Sequence, residues 1–329
     1  MSDHLTQPLA FEPRLVPKMW GSRRLEKLGK PLPAEEPIGE SWELFDFPPG
    51  VVDAGWTSAA VAGGLLAGKT LHDLMADEST RAAILGGAKP VETPAGPQFP
   101  LLIKFLDAGD DLSVQVHPDE AYAAAHADAH LKHECWYVLA HEPAARLLKG
   151  LKPGVDRDGF EQAIADGTVE SLIEAIPAAD GDCHYLPSGT VHALGGGMLV
   201  AEVQTPSDTT YRVFDFKRKD PKTGEERELH VDQALECIDF AGTGPKAPDV
   251  TRGDGRLVYA PQFTLDRMTI PAGDAVTLPD GCLVTMTVAG DATISGVPAS
   301  TGQTLLVPAS SGRTVTAATV TTLLVARPR

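Results

Sequence analysis

Four side chains in this sequence carry the donor groups of a metal site. Gln115 and His117 belong to the segment LSVQVHPDE, in which polar and apolar residues alternate with the period of two that predicts a strand. Ser113, Gln115 and His117 therefore share its polar face. Glu134 lies in KHECWYVL, whose apolar run suits a buried strand, and His192 follows the Pro-Ser-Gly turn of YLPSGTVHAL. One carboxylate, one amide and two imidazoles suit zinc or another borderline divalent metal.

Other histidines compete for the same role. His184 precedes the Pro-Ser-Gly turn and is the alternative to His192. His126 and His130 are four residues apart in an Ala-rich segment, but the HExxH pattern is absent and we interpret both as solvated. His72 is interpreted as a surface residue of a helix. The ligand hypothesis therefore rests on the four donors together, because each of their segments alone is a weak signal.

Charged side chains suited to acid–base chemistry lie close to these donors in the sequence. Lys132 shares one strand face with Glu134. The segment AEVQTPSDTTYRVFDFKR has the Val and Phe pattern of strands around a turn, and it carries both signs of charge: Glu202, Asp208, Arg212, Lys217 and Arg218. Lys217 and Arg218 have an alternative interpretation as the solvated end of a strand.

Together these segments resemble the type I mannose-6-phosphate isomerases, the zinc-dependent phosphomannose isomerases of the cupin superfamily. The family motifs QxHPD, KxExWY, PxGTxHA and SDxxxR stand here at residues 115–119, 132–137, 187–193 and 207–212. The segments Trp20-Gly21 and GESWE (residues 39–43) are also similar to the family. The resemblance extends over about residues 11–240 and is to the shorter bacterial members, because the long helical insertion has no room. His133 stands where the family usually has Thr.

The resemblance implies an aldose–ketose isomerase that interconverts mannose 6-phosphate and fructose 6-phosphate by proton transfer through an enediol or enediolate. It implies one Zn²⁺ per chain, bound by Gln115, His117, Glu134 and His192. The implied catalytic residues are Arg212, which stabilises anionic charge, Lys132, which assists proton transfer, and Glu202 or Asp208, between which the sequence does not choose the base. The implied phosphate-binding residues are Ser113, Lys104 and Arg218.

Arg212 and Arg218 place a condition on the chain between them. They are six residues apart, so an unbroken strand would separate them by about 20 Å on one face. That distance exceeds the length of a hexose phosphate. The chain must therefore bend between the two residues if both contact the substrate.

Two other classes of function remain as alternatives. One is a different cupin metalloenzyme, such as an iron oxygenase, which would favour a His-rich ligand set, whereas this chain offers Gln115 and also carries Arg212. The other is a non-catalytic or differently specific metal-binding cupin for sugar phosphates. The presence of Lys132, Glu202 and Asp208 argues against the loss of catalysis without excluding it.

The elements that must position these residues are mainly strands. From Leu257 onward, short strand patterns separated by Gly and Pro turns indicate a sandwich or jelly roll. Together with the resemblance, this predicts a mainly β fold of cupin (jelly-roll β-sandwich) domains with small helical insertions. We expect a catalytic cupin domain at residues 1–240, with helical insertions near 60–97 and 140–180, and a C-terminal cupin-like β domain at residues 241–329.

Local signals predict where the insertions are helical. Thr70 is the expected N-cap of a helix, with Asp73 at its third position. Residues 157–165 and 168–175 have the patterns of short helices, and residues 90–100 have the composition of a turn-rich linker.

Composition limits the partners. The net charge of −17, from 45 acidic and 28 basic residues, argues against nucleic acid and anionic membranes. A hexose 6-phosphate would therefore need a local basic pocket. We expect a monomer or weak homodimer.

The cysteines and the apolar segments predict a cytoplasmic location. Cys135, Cys183, Cys237 and Cys282 form no CxxC motif and are typical of reduced thiols. The first residues lack the apolar core of a signal peptide, and no apolar run reaches the length of about 18 residues that would predict a membrane span.

Overall fold

The structure, a computed structural model, describes residues 5–47, 57–219, 223–242 and 250–329. Over these residues the chain forms mainly antiparallel sheets with short helices, which confirms the predicted mainly β fold with helical insertions. The α-helices are α1 (Leu71–Ala76), α2 (Glu78–Leu85), α3 (Glu120–Ala125), α4 (Arg157–Asp166) and α5 (Val231–Cys237). Shorter 3-10 helices occur at Arg24–Leu28, Gly64–Leu66 and Val169–Leu172.

The strands precede, separate and follow these helices. In chain order they are β1 (Leu9–Ala10), β2 (Arg14–Ser22), β3 (Ile38–Leu44), β4 (Val91–Thr93), β5 (Gly96–Gln98), β6 (Leu102–Ala108), β7 (Val114–Val116), β8 (Glu134–His141), β9 (Arg146–Leu151), β10 (Ile173–Pro177), β11 (Cys183–Leu186), β12 (His192–Leu194), β13 (Met198–Gln204), β14 (Tyr211–Phe214), β15 (Gly255–Tyr259), β16 (Phe263–Ile270), β17 (Ala275–Thr277), β18 (Leu283–Ala289), β19 (Asp291–Ile294), β20 (Val297–Ser300), β21 (Thr304–Val307), β22 (Thr314–Ala317) and β23 (Thr321–Pro328).

Two facing sheets carry the candidate site. One has six strands in the order β11-β8-β13-β6-β2-β3, and the other has five in the order β10-β9-β12-β7-β14. Side chains alternate between the faces of a strand, so Trp136 and Val138 of β8 point to the same side. Both pack in one apolar cluster with Leu147 of β9 and Leu194 of β12. This cluster joins the two sheets as the inner layer of a sandwich.

Helices cover the other face of the five-stranded sheet. Val114 and Val116 of β7 pack in a cluster with Phe160 of α4 and Leu235 of α5. Because the apolar side chains of β7 face these helices, Gln115 between them faces the six-stranded sheet. The predicted alternation is therefore confirmed, although the strand is limited to Val114–Val116.

The C-terminal strands form two further layers. A six-stranded sheet has the order β1-β21-β18-β23-β16-β15, and a four-stranded sheet has the order β17-β22-β19-β20. Leu323 of β23 packs in a cluster with Ile294 and Val315 of the four-stranded sheet. Leu324, the next residue, belongs instead to the large cluster that contains Tyr137 of β8. The described strands thus stack as four successive layers, with apolar side chains between each pair.

The N-terminal strand β1 belongs to the same sheet as the C-terminal strands. Leu9 of β1 pairs with Leu306 of β21, so β1 is the edge strand of the sheet built from the C-terminal strands. The predicted division into domains at residues 240 and 241 stays a prediction.

The structure corrects two local predictions and confirms a third. Thr70 caps α1 in a reciprocal capping box with Asp73, as predicted. Residues 168–175 are not one helix, because the 3-10 turn passes into β10, which pairs with β9. Residues 90–100 are not a linker without strands, because β4 and β5 pair as a hairpin. None of the helices in the described ranges has the length and apolarity needed to cross a bilayer.

Candidate metal centre and adjoining cavity

Three buried side chains converge between the facing sheets. His117 follows β7, Glu134 begins β8 and His192 begins β12. His192 Nε2 lies 3.0 Å from Glu134 Oε1, and His117 Nε2 lies 3.4 Å from Glu134 Oε2. Their candidate ligand atoms all lie within 4.8 Å of one another. Gln115 and His192 are partners in the β7–β12 ladder, which brings Gln115 Nε2 to 3.3 Å from His192 Nε2.

Hydrogen bonds orient both imidazoles for metal binding. Nδ1 of His117 donates to the carbonyl of Thr209 at 3.0 Å, and Nδ1 of His192 donates to the carbonyl of Thr190 at 2.8 Å. A carbonyl only accepts, so each Nδ1 carries the proton and each Nε2 presents its lone pair to the centre of the group. Nε2 of His117 and both carboxylate oxygens of Glu134 are buried and form no hydrogen bond, although Lys132 pairs with Glu134 at 3.2 Å. Orphaned acceptors of this kind fit a cation, because buried polar atoms ordinarily have partners.

The electrostatics favour the protonation states that bind metal. Burial, and then the charge of Lys132, lower the pKa of His117 to about 3, so this imidazole is neutral. Burial alone would raise the pKa of Glu134. Lys132, 3.2 Å away, has the largest of the charge effects that outweigh burial and hold that pKa well below its ordinary value. A neutral imidazole and an ionised carboxylate are the forms that bind a divalent cation.

A cavity of about 290 Å³ adjoins the metal-ligand group. Of the residues predicted for the site, those that line the cavity are Lys104, Ser113, Gln115, Lys132, Glu202, Asp208 and Arg212. Further polar or aromatic lining comes from Lys18, Trp20, Glu40, Trp136, Thr210 and Arg227. The cavity therefore combines several cations with carboxylates, a lining suited to an anionic polar ligand.

Each facing sheet contributes one row of cross-strand neighbours to the site. On the five-stranded sheet, Gln115 of β7 pairs with His192 on one side and with Arg212 of β14 on the other. On the six-stranded sheet, Glu202 of β13 pairs with Lys104 of β6. The sandwich thus places a row with the candidate ligands opposite a row of ionisable groups.

Lys104 lies between two carboxylates whose pKa values differ. Its ammonium is 3.8 Å from Glu40 and 3.7 Å from Glu202. Burial, and then the charge of Glu134, raise the pKa of Glu202 to about 7. Burial would also raise the pKa of Glu40, but Lys18 and Lys104 outweigh it and lower this pKa to about 2. Glu202 is therefore the carboxylate of the pair that can exchange a proton near neutral pH.

Arg212 lines the cavity, and the chain segment after β14 holds its side chain in place. Its Nη1 donates to the carbonyl of Glu228 at 2.8 Å, whereas its buried Nε has no hydrogen-bond partner. Burial, and then the nearby Arg227, lower the pKa of Arg212 from its ordinary high value. The group remains a cation, because a guanidinium does not lose its proton in proteins.

Arg218 does not line the cavity. β14 ends at Phe214, and Phe216 and Lys217 have φ values of 56° and 54°, so the chain bends sharply before Arg218. The side chain of Arg218 then binds Asp215, Asp110 and the carbonyl of Asp111. A bend between Arg212 and Arg218, which the sequence required if both were to contact the substrate, is present, but it turns Arg218 toward these acceptors.

Among the competing histidines, the structure separates His184 from the group. His184 lies on β11, with Nε2 at 4.0 Å from Asp182, and it is absent from the cluster of potential ligands. His72 contacts Asp46 at 3.2 Å, and His126 stacks on Tyr122. Within the described residues, His192 and not His184 therefore belongs to the group that could bind metal.

Sequence reasoning missed some lining residues for definable reasons. Trp20 and Glu40 are visible in the sequence only as members of the Trp20-Gly21 and GESWE segments. A Cβ on Gly39 would lie 2.5 Å from the Trp20 ring, so this glycine permits the close packing that brings both residues to the cavity. No sequence motif points to Arg227, because its position depends on how the chain folds after β14.

Comparisons with known proteins agree with this geometry. Residues 11–146 match the catalytic domain of type I phosphomannose isomerase. The chain is 36% identical to mannose-6-phosphate isomerase of Streptococcus mutans over 271 residues, 81% of this chain and 80% of that protein. It is 40% identical over 236 residues to a probable mannose-6-phosphate isomerase of Bacillus subtilis, 71% of this chain and 69% of that protein. The crystal structure of mannose 6-phosphate isomerase from Bacillus subtilis superposes with a TM-score of 0.81 at 29% identity, covering 98% of this chain and 100% of that one.

Proposed function

The chain belongs to the mannose-6-phosphate isomerase family, and from this we propose that it interconverts mannose 6-phosphate and fructose 6-phosphate with zinc as cofactor and through an enediolate. The buried group of His117, Glu134 and His192 beside a cavity lined by cations supports this proposal most directly. The cations suit a phosphorylated substrate, and the ligand group suits a divalent metal.

The reaction moves a proton between C1 and C2 of the open-chain sugar. It requires a base at the carbon that loses the proton and positive charge at the oxygen that becomes anionic. Glu202 and Asp208 both line the cavity and are the two candidate bases. The pKa of Glu202, raised to about 7, favours Glu202, because a base with that value is partly ionised at neutral pH and readily returns the proton.

His117, Glu134, His192 and Gln115 would hold the zinc ion. When bound, zinc would supply a positive charge that polarises the oxygens of the sugar. The single carboxylate of this set would leave a net positive charge at the site, which suits an anionic intermediate.

The other predicted residues keep their proposed roles. Arg212 would donate hydrogen bonds to the oxygen that gains charge, and Lys132 would assist proton transfer. Ser113 and Lys104 line the cavity and remain candidates for phosphate binding. A phosphate contact by Arg218, a cytoplasmic location and a monomer or weak homodimer stay predictions.

A coupled assay tests the proposed activity. Purified protein should interconvert the two hexose phosphates, lose the activity on dialysis against a chelator, and regain it on addition of zinc. Activity that survives removal of all bound metal would contradict the zinc requirement. Binding of the sugar phosphates without turnover would favour the non-catalytic alternative.

Metal content tests the ligand set separately from turnover. Elemental analysis should find about one zinc per chain, as expected for a structural or catalytic site with this donor set. His192→Ala should lose both metal and activity, whereas His184→Ala, its matched control on β11, should keep most of the metal. Stoichiometric iron with little activation by zinc would contradict the choice of metal, and an empty site in His184→Ala would contradict the choice of ligand.

A further inference from the structure

Arg227 is a cation of the cavity that has no assigned role. It lies beyond β14 and directly follows Glu226, which forms an isolated β-bridge with Lys219. Its guanidinium binds Asp215 through two hydrogen bonds, with Nε at 2.6 Å from Oδ2 and Nη2 bound to Oδ1. The side chain is 22% exposed and lines the cavity.

Asp215 fixes two guanidinium groups at once. It is buried, with 5% of its side chain exposed, and it binds both Arg218 and Arg227. Burial would raise the pKa of Asp215, but the two guanidinium groups outweigh it and hold this pKa below its ordinary value. Arg218 also pairs with the carboxylate of Asp110, so Asp215 does not balance both guanidinium groups alone, and Arg227 keeps part of its charge for a further anion. Of the two, only Arg227 lines the cavity.

Within the described residues, Arg227 also has N–H donors without an acceptor. A guanidinium carries five N–H groups in a planar fork, and Asp215 takes two of those on Arg227. Each ammonium group of the cavity also lies near a carboxylate, and Lys18 is 3.2 Å from Glu40. Lys104 lies between Glu40 and Glu202, and Lys132 lies 3.2 Å from Glu134.

Arg227 and Arg212 are anchored differently, which suits contacts with different parts of the substrate. In a hexose 6-phosphate the phosphate is on C6, at the opposite end from C1 and C2. Arg212 pairs with Gln115 in the β7–β14 ladder, which places Arg212 beside the proposed metal group. Arg227 is anchored instead at Asp215, beyond the end of β14. The two arginines therefore approach the cavity from different positions along the chain.

We propose that Arg227, held by Asp215, binds the phosphate group of the substrate and makes the enzyme prefer phosphorylated hexoses. This inference rests on the proposed isomerase function. It assigns to Arg227 the phosphate contact that the sequence predicts for Arg218, whose side chain is directed to Asp110, Asp111 and Asp215. Arg218 acts through Asp215 and is then a positioning residue.

Replacement of each arginine that binds Asp215 tests this assignment. Arg227→Gln should raise the KM for mannose 6-phosphate by about 10- to 100-fold, the loss of a charge-assisted contact, and leave kcat within about threefold. The competitive inhibition constant of inorganic phosphate should rise by a similar factor. Arg218→Gln should raise both values less. Arg227→Lys should be intermediate, because lysine keeps the charge without the two-point contact to Asp215.

Arg256→Gln is the control for net charge, because Arg256 pairs with Asp266 on the C-terminal strands and is absent from the cavity lining. It should behave as the parent protein. Circular dichroism and zinc content would show that each variant is folded and loaded. If Arg218→Gln had the larger effect on KM and on inhibition by phosphate, the contact would belong to Arg218. If Arg227→Gln matched Arg256→Gln, the inference would be wrong.

The test also separates this inference from the proposed function. If the parent protein does not interconvert the sugar phosphates, the proposed function fails. Calorimetric binding of inorganic phosphate to the parent protein and to Arg227→Gln then still decides whether Arg227 forms an anion site. Equal phosphate affinities in the two proteins would overturn the Arg227 assignment whatever the result of the activity assay.

Discussion

Glu40 and Glu202 flank the same ammonium group, that of Lys104, and nevertheless differ widely in acidity. Lys18 and Lys104 lower the pKa of Glu40 to about 2 against the effect of burial, whereas burial and the charge of Glu134 raise that of Glu202 to about 7. Carboxylates whose environments push their pKa values apart can serve different roles in one site. Glu40 is suited to hold Lys104, and Glu202 is suited to exchange a proton.

The pH dependence of activity should report this difference. A general base must be ionised, so kcat/KM should fall as the pH drops through the pKa of Glu202, about 7 in the protein without metal. The charge of Glu134 contributes to the rise of that pKa, so bound zinc should move the midpoint to lower pH. The measurement is a pH profile of the zinc-loaded enzyme. Glu202→Gln should lower kcat strongly and abolish the fall of kcat/KM at low pH. If this fall were lost in Asp208→Asn and kept in Glu202→Gln, Asp208 would be the base.

Arg212→Ala should reduce turnover more than binding. A donor to developing charge acts mainly in the transition state, so we expect kcat to fall by about 100-fold or more, with a smaller change in KM. Steady-state kinetics of the coupled assay measure both values, with Arg256→Ala as the control for charge. An unchanged kcat with a raised KM would make Arg212 a binding residue, and Lys132 or the metal would then stabilise the enediolate.

At the scale of elements, the site depends on how adjacent strands are paired. β7 lies between β12 and β14, so one residue of β7, Gln115, has His192 and Arg212 as its ladder partners. Alternation in the sequence predicts that Gln115 and His117 share a face, and motif spacing selects the four candidate ligands. Neither reveals Arg227, because its position depends on the positive φ values of Phe216 and Lys217, which neither residue type predicts.

Gly39 offers a test of the pairing between β2 and β3. A Cβ at this position would lie 2.5 Å from the Trp20 ring and 2.6 Å from the Cβ of Lys18. Gly39→Ala should therefore destabilise the protein by about 1–3 kcal/mol, the usual cost of overpacking, and raise KM by displacing Trp20 and Glu40 from the cavity. Urea unfolding and kinetics measure the two effects. Gly87→Ala is the matched control, since its Cβ would meet no atom within 4 Å. Equal stabilities of the two variants would contradict this account.

At the scale of the whole molecule, the candidate metal ligands lie between two sheets, and the C-terminal strands pack against the outer face of one of these sheets. The large apolar cluster joins Tyr137 of β8 to Leu324 and Val284 of the C-terminal strands. Tyr137 is three residues from Glu134 on the same strand. The C-terminal strands contribute no histidine to the site, yet they cover the outer face of the sheet that presents Glu134. The strand pattern from Leu257 onward predicts that these residues form a sandwich or jelly roll. Which sheet packs against which is known only from the structure.

Deletion of residues 255–329 should therefore give an insoluble or unfolded protein. The deletion would expose the apolar side chains of the large cluster and leave β1 without its partner β21. Exposed apolar surface and unpaired strand edges favour aggregation. Sedimentation of the fragment and assay of the soluble fraction measure the outcome. A soluble and active fragment of residues 1–254 would contradict a structural role for the C-terminal strands.

The pairing of β1 with β21 also orders events during synthesis. Leu9 leaves the ribosome early, but its partner Leu306 emerges only after almost all of the other described strands. Contacts between residues so far apart in sequence form late, because the closure of a long loop is costly in entropy. β1 therefore has no ladder partner in the nascent chain until β21 has been synthesised. Closure of this ladder would mark the moment at which the last layer docks, which makes Leu9 a suitable position for a probe of the final folding step.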